Sequence, residues 1–168
     1  NLDRKLIESL IDRDGIEATW KSLLRVRIET SGKDFAYILT ADELRDIRSA
    51  PFDVLRHLSI GEISILYEYS LAYHNRAHRK NEGQYFTPDD VSNFLAGHAK
   101  NFPASTIWID PCSGVGNLSY WLVHEQQNPE RFLLERMYLV DSAALALFIA
   151  RILFTLAFQK AEKDLFEK

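Results

Sequence analysis

The residues best suited to chemistry lie in a short stretch, residues 106–118, where an acidic residue precedes two glycines. Asp110 follows an apolar run that is typical of a buried parallel strand, and Pro111 has no N–H with which to continue a sheet. Gly114 and Gly116 then permit a tight turn and the close approach of a ligand to the backbone. Because ligands of open α/β sheets bind outside the carboxyl ends of the strands, this stretch predicts half of a pocket for a nucleoside-type cofactor.

A second acidic residue, Asp141, follows residues 137–140, which form a second predicted buried strand. In a βαβ unit, the acid at the end of the second strand can accept hydrogen bonds from both hydroxyls of a ribose. Asp141 lies further along the chain than the roughly 20 residues typical of nicotinamide cofactors, and Ser119 replaces the last glycine of the dinucleotide pattern. No phosphate-loop lysine follows the turn. The pattern therefore suits a cofactor without a pyrophosphate, and S-adenosylmethionine meets that description.

A third stretch, at residues 83–88, reads Gly-Gln-Tyr-Phe-Thr-Pro and precedes the glycine turn. Together with Asp-Pro-x-x-Gly-x-Gly, it resembles the amino-terminal, cofactor-binding part of N6-adenine DNA methyltransferases of the restriction–modification type. The likeness extends over roughly residues 60–154 and includes the second strand with its acid. It implies an S-adenosylmethionine site formed by the following residues: Tyr85, Phe86, Thr87, Pro88, Asp110, Gly114, Gly116 and Asp141.

The resemblance also implies how these residues divide the cofactor among them. Asp110 and the two glycines would line its methionine and ribose side, and Asp141 would hold the ribose. Residues 85–88 would close over the methionine end. A hydroxyl and helical N–H groups near Thr87 are physically suited to a carboxylate.

The catalytic loop of these enzymes, Asn/Asp-Pro-Pro-Tyr/Phe, does not occur in the sequence, and after the glycine turn the only proline is Pro129, ahead of the second strand. That loop holds the flipped adenine, so we assign no catalytic residue and expect this chain alone to be inactive. DNA would be bound through parts outside this chain, and specificity or restriction subunits are further possible partners. The alternative is a helical protein-interaction module with a degenerate, non-binding methyltransferase start.

Composition narrows the remaining classes of protein. The formal net charge of -4 gives the chain no overall basic character with which to hold DNA phosphates. The single cysteine, Cys112, excludes an internal disulfide and a cysteine-based zinc site, and we predict that it is packed. The five histidines show no metal-ligand spacing, so no metal site is predicted. The charged start lacks a signal-peptide pattern, and we expect a cytoplasmic protein without membrane contact.

The apolar spacing predicts the elements that must position the candidate site. Helices are expected at residues 2–11, 16–28, 41–47, 60–79, 88–98, 118–125 and 142–160, and strands at 107–109 and 137–140. Ser59 and Glu62 are predicted to form a capping box, and Thr87 is predicted to cap the helix that begins at Pro88. Residues 35–39 are ambiguous, and residues 126–131 are expected to be a polar connection. The predicted class is α/β and mostly helical: a helical region at 1–81, then the start of a truncated Rossmann-like methyltransferase domain at 82–168.

The last predicted helix, residues 142–160, is apolar on nearly its whole circumference. Two short strands offer too little surface to bury such a helix. We therefore expect it either to pack against the amino-terminal helices or to be covered by self-association of the chain, with self-association favoured.

Overall fold

The computed structural model describes residues 2–32, 35–75 and 87–158. The chain divides into two compact units, residues 1–86 and 87–168. The boundary predicted between residues 81 and 82 lies outside the described residues and stays a prediction. We describe each unit by itself.

The first unit is helical over its described residues. Its helices are α1 (Leu2–Asp14), α2 (Ile16–Glu29), α3 (Ala36–Leu39) and α4 (Ile60–His74). The first, second and fourth helices contact one another. Trp20 is fully buried, and its ring meets that of Tyr67 edge to face with centroids 5.5 Å apart. The helical spacing of residues 2–28 therefore predicted α1 and α2 correctly.

Helix α4 begins at the capping box that the sequence predicts. The Ser59 side chain accepts a hydrogen bond from the backbone of Glu62, whose carboxylate accepts one from the Ser59 N–H at 2.7 Å. The helix ends at His74, and Asn75 has already left helical geometry. The helix was predicted to extend to Arg79, and it is already interrupted at Asn75. Residues 76–79 lie outside the described residues.

The helix predicted at residues 41–47 is wrong, because these residues form turns. The Leu44 carbonyl accepts a hydrogen bond from the Arg25 guanidinium at 2.6 Å. The same carbonyl also accepts from the Ile47 N–H, three residues later, at 3.1 Å, whereas an α-helix would pair it with the N–H four residues later. The ambiguous stretch just before it is helical, as α3.

The second unit contains a parallel βαβ arrangement. Its elements are α5 (Asp89–Gly97), β1 (Trp108–Asp110), α6 (Asn117–His124), α7 (Pro129–Glu135), β2 (Met137–Leu139) and α8 (Ala144–Ala157). The two strands pair in parallel, with Trp108 opposite Met137 and Asp110 opposite Leu139. The predicted class, α/β and mostly helical with two short parallel strands, is confirmed.

Helix α7 begins within the predicted polar connection. Asn128 caps it by accepting a hydrogen bond from the Arg131 N–H at 3.1 Å, and Pro129 takes the first helical position. Both signals were present in the sequence. The packing predicted for Cys112 is wrong, since its side chain is exposed.

Helix α8 is buried along much of its length in this one chain. Ile149 and Ile152 are fully buried, and Phe154 is 2% exposed. Phe154 and Phe158 belong to a core that α8 shares with α5, α6, α7 and β2. This burial removes the reason for predicting self-association through α8, and self-association stays untested. Among the described residues, no helix is both long and apolar enough to cross a bilayer.

Candidate functional site

The parallel pairing brings the two predicted acids to the same edge of the sheet. Asp110 is the last residue of β1, and its carbonyl accepts a hydrogen bond from the Val140 N–H at 2.8 Å. The Ser113 N–H donates in turn to the Val140 carbonyl at 3.0 Å. The glycine turn is therefore joined by backbone hydrogen bonds to the residues just before Asp141.

The Asp141 carboxylate is held by two backbone N–H groups. Its Oδ2 accepts from Gly114 N at 2.8 Å, and its Oδ1 accepts from Ala143 N at 2.8 Å. The first bond fixes the distance between the glycine turn and the end of β2. Because a carboxylate has about four acceptor positions, roughly two remain for hydroxyl groups such as those of a ribose.

The Asp110 carboxylate is held from the first turns of α6. Its Oδ2 accepts a hydrogen bond from the hydroxyl of Ser119 at 2.7 Å, and Ser119 is 1% exposed. The Cys112 N–H lies 3.4 Å from Oδ1, which is a long contact. Asp110 therefore has one firm partner and an orientation set by α6.

The two glycines of the turn are needed for different reasons. Gly114 has φ +53°, and a Cβ built on it meets no atom within 4 Å. Gly116 has φ +86°, and a Cβ there would lie 2.7 Å from Cε2 of Phe154. Space beside the turn is thus open at Gly114, whereas protein packing alone already requires glycine at Gly116.

The Thr87-Pro88 pair precedes α5, but not in the predicted way. The helix begins at Asp89 with Pro88 at the N-cap in an extended conformation, so Thr87 is not the cap. The Thr87 carbonyl instead accepts a hydrogen bond from Nδ2 of Asn117 at 2.6 Å. Tyr85 and Phe86, which were predicted beside this pair, lie outside the described residues.

Sequence reasoning missed the side chains that hold these parts together. Asn117 bonds to Thr87, Ser119 bonds to Asp110, and the indole N–H of Trp121 donates to Asp89 at 3.0 Å. The one signal available was the placement of small polar residues on an otherwise apolar helix. The sequence pattern identifies Ser119 only as the residue that replaces the last glycine of the dinucleotide-binding motif.

Burial raises the pKa of Tyr120, and the charge of Asp89 raises it further. This phenol therefore stays protonated at neutral pH and cannot act as a base. The Lys100 ammonium, 2.5 Å from Glu125, lowers the pKa of that carboxyl.

One comparison with known proteins gives a match. The sequence model of a family described as N-6 DNA Methylase matches residues 59–143. That span includes α4, α5, the glycine turn and both strands, and it ends just after Asp141. No curated protein and no solved structure matches the chain. The matched span is just over half of the 168 residues.

Proposed function

Because the chain belongs to the N-6 DNA methylase family, we propose that it binds S-adenosylmethionine between its glycine turn and the residues before α5. The observation that carries the proposal is the hydrogen bond from Gly114 N to the Asp141 carboxylate at 2.8 Å. It places an acid with spare acceptor positions against a turn that has open space beside it. The family resemblance seen in the sequence is confirmed by the family match.

The residues present fit this cofactor in both of its polar parts. Asp141 would accept the ribose hydroxyls, and the space at Gly114 would admit the adenosine and methionine portions. Thr87 and the first turn of α5 would hold the methionine carboxylate, since helix N-termini bind anions. Tyr85 and Phe86 would close this end. When bound, the cofactor provides a methyl group carried on a sulfonium sulfur.

We propose that the methyl acceptor is the N6 amino group of adenine in DNA. We also propose that the enzyme belongs to a restriction–modification system. The family supports DNA as the substrate. Reaching N6 requires the base to leave the helix, and the residues that hold a flipped adenine are not found in this sequence. This chain would orient the cofactor, and segments outside it would orient the amine and bind DNA.

Titration calorimetry of the chain with S-adenosylmethionine tests the binding proposal. We expect saturable binding with one site, and a matching increase in melting temperature as the ligand stabilises the folded state. Absence of both signals in a chain with a folded circular dichroism spectrum would reject the proposal. That outcome favours the alternative, a protein-interaction module with a non-binding methyltransferase start.

A transfer assay tests the expectation that this chain alone is inactive. The chain is incubated with DNA and S-adenosylmethionine that carries a labelled methyl group. We expect no label in adenine, because no catalytic loop is present to hold the base. Labelled N6-methyladenine above the level of a protein-free control would show that this chain contains catalytic residues that we have not assigned.

A further inference from the structure

The carboxamide of Asn117 is the best-defined polar contact beside the glycine turn that the proposed site does not use. Asn117 is the first residue of α6 and is 5% exposed. Its Nδ2 donates to the Thr87 carbonyl at 2.6 Å and lies 3.2 Å from the hydroxyl oxygen of Ser92, which is fully buried. One amide therefore joins the first residue after the glycine turn to Thr87, which precedes α5, and to Ser92 in the first turn of α5.

The orientation of this amide is fixed by its partners. A backbone carbonyl can only accept, so the group facing Thr87 must be the amide nitrogen and not the oxygen. The Oδ1 atom is consequently buried, and no donor from the described residues reaches it. Leaving a buried acceptor without a donor is unfavourable, which indicates that the amide is not there for stability alone.

A second contact on the same face of α6 holds the same segment. Trp121 lies one helical turn after Asn117, and its indole N–H donates to the Asp89 carboxylate at 3.0 Å. The start of α5 is thus fixed to α6 at Thr87 and again at Asp89. Since α6 follows the glycine turn directly, these contacts set the distance between the turn and the start of α5.

We propose that Asn117 is a positioning residue that sets Thr87 and the first turn of α5 against the glycine turn. It thereby controls how strongly the site holds the amino-acid end of the ligand, and not its adenosine end. The inference rests on the proposed function, in which the Thr87 segment binds the methionine carboxylate and Asp141 binds the ribose.

The test compares two ligands that share the adenosine and thioether groups. S-Adenosylhomocysteine carries the amino-acid tail, and 5′-methylthioadenosine lacks it. In Asn117→Ala we expect the affinity for S-adenosylhomocysteine to fall by roughly three- to tenfold, the effect of one hydrogen bond. The affinity for 5′-methylthioadenosine should stay within about twofold, because the adenosine end is held elsewhere.

Two further variants keep the test decisive. Ser92→Ala removes the second acceptor of the amide but leaves the Thr87 contact. The ratio of the affinity for S-adenosylhomocysteine to the affinity for 5′-methylthioadenosine should therefore not change. Trp121→Phe removes the indole N–H, and with it part of the ring, and should lower the affinity for S-adenosylhomocysteine relative to that for 5′-methylthioadenosine, as Asn117→Ala does. If Asn117→Ala does not fold, as judged by circular dichroism, the Trp121→Phe ratio decides.

The outcomes separate the two proposals. If the unsubstituted chain binds both ligands but the ratio is unchanged in the variants, or if both affinities fall equally, the positioning role is wrong and the proposed function stands. If the unsubstituted chain binds neither ligand, the proposed function fails and the positioning role fails with it.

Discussion

On helix α2, carboxylates face cations along the helix surface, whereas at the carboxyl ends of β1 and β2 they face backbone N–H and hydroxyl groups. On α2, Glu17 contacts Lys21 at 2.6 Å and Glu29 contacts Arg25 at 2.9 Å, in each case one helical turn away. Asp141 is instead bonded to two backbone N–H groups. The same functional group therefore serves as a surface ion pair on α2 and as a fixed acceptor beside the glycine turn.

The two kinds of carboxylate partner, cations and N–H groups, also occur within the second unit, where they separate the candidate site from the opposite end of the strands. At the amino end of the strands, in the same unit as Asp141, Glu125 pairs with Lys100 and Glu135 pairs with Arg131. An acid that faces a cation has its charge compensated within the protein. An acid held by N–H groups keeps a defined direction and acceptor positions for a ligand. Two acids held in this way at the ends of neighbouring parallel strands therefore indicate where to look for binding.

The largest expected effect distinguishes two glycines with positive φ, one in each unit. Gly116→Ala should lower the free energy of unfolding by roughly 2–4 kcal/mol, because backbone strain adds to overpacking. The new Cβ would lie 2.7 Å from Phe154, which is 2% exposed and packed against Tyr120. Urea unfolding followed by circular dichroism measures the loss.

Gly15→Ala provides the comparison in the helical unit. Gly15 has φ +82° and ψ 166°, a region that residues other than glycine rarely adopt, and a Cβ there meets no atom within 4 Å. Only the backbone strain remains, so the loss should be about 1–3 kcal/mol. A loss in Gly116→Ala of only about 1 kcal/mol, the cost of left-handed backbone alone, would show that Phe154 moves aside and that the core beneath the glycine turn is not rigid.

The next effect compares the two acids that flank β2. Asp141→Ala should weaken S-adenosylmethionine binding by roughly ten- to hundred-fold, since it removes a charged acceptor of the ribose hydroxyls. Glu135→Ala removes the same charge at the opposite end of the strand and should leave the affinity unchanged. Calorimetry on both variants, below their melting temperatures, gives the two affinities. An unchanged affinity in Asp141→Ala would exclude this residue from the site.

A smaller effect compares two hydroxyl groups that each donate to an aspartate. Ser119→Ala removes the buried donor to Asp110 and should lower the free energy of unfolding by about 1–2 kcal/mol. Tyr73→Phe removes the exposed donor to Asp12, 2.8 Å away in the helical unit, and should change it by about 0.5 kcal/mol or less. Thermal unfolding of both variants tests the difference. A loss in Tyr73→Phe as large as that in Ser119→Ala would contradict the burial argument.

The same contrast explains which features could be predicted from the sequence. Local patterns predicted the parallel strands, the glycine turn and the capping box at Ser59, because each depends on residues close together in the chain. The helix predicted at residues 41–47 is wrong: the Leu44 carbonyl accepts from the Ile47 N–H, only three residues later, and from the side chain of Arg25, which is distant in the sequence. No local signal contains that contact.

In the candidate site, too, features that depend on nearby residues were predicted and contacts between distant residues were not. The sequence placed Asp110 and Asp141 at the ends of neighbouring strands, where the structure has them. It did not predict that Asn117 would bond to Thr87, since the two residues are separated by α5 and β1. The cofactor roles of the predicted residues stay predictions until binding is measured.

The smallest expected effect concerns the ion pair at the amino end of the strands. The Lys100 ammonium, 2.5 Å from Glu125, holds the pKa of that carboxyl below its usual value. A carboxyl with a lowered pKa in the folded state stabilises the fold above its unfolded pKa, and this contribution is lost as the pH falls through the folded pKa. Because the pair lies at the surface, with the Lys100 side chain 62% exposed, the contribution to stability should be too small to detect at neutral pH.

An NMR titration of the Glu125 side chain tests this cause directly. Lys100→Gln should raise the pKa of Glu125 towards its usual value, and about 1 M salt should do the same by screening. Hydrogen exchange of the Gly114 N–H, which donates to Asp141, should be insensitive to that salt, because the bond is between a backbone group and a partly buried acid. If the pKa of Glu125 stays low in Lys100→Gln, another group lowers it. If instead salt accelerates exchange at Gly114, the acid at the candidate site behaves like a surface ion pair, and the distinction between the two ends of the strands is lost.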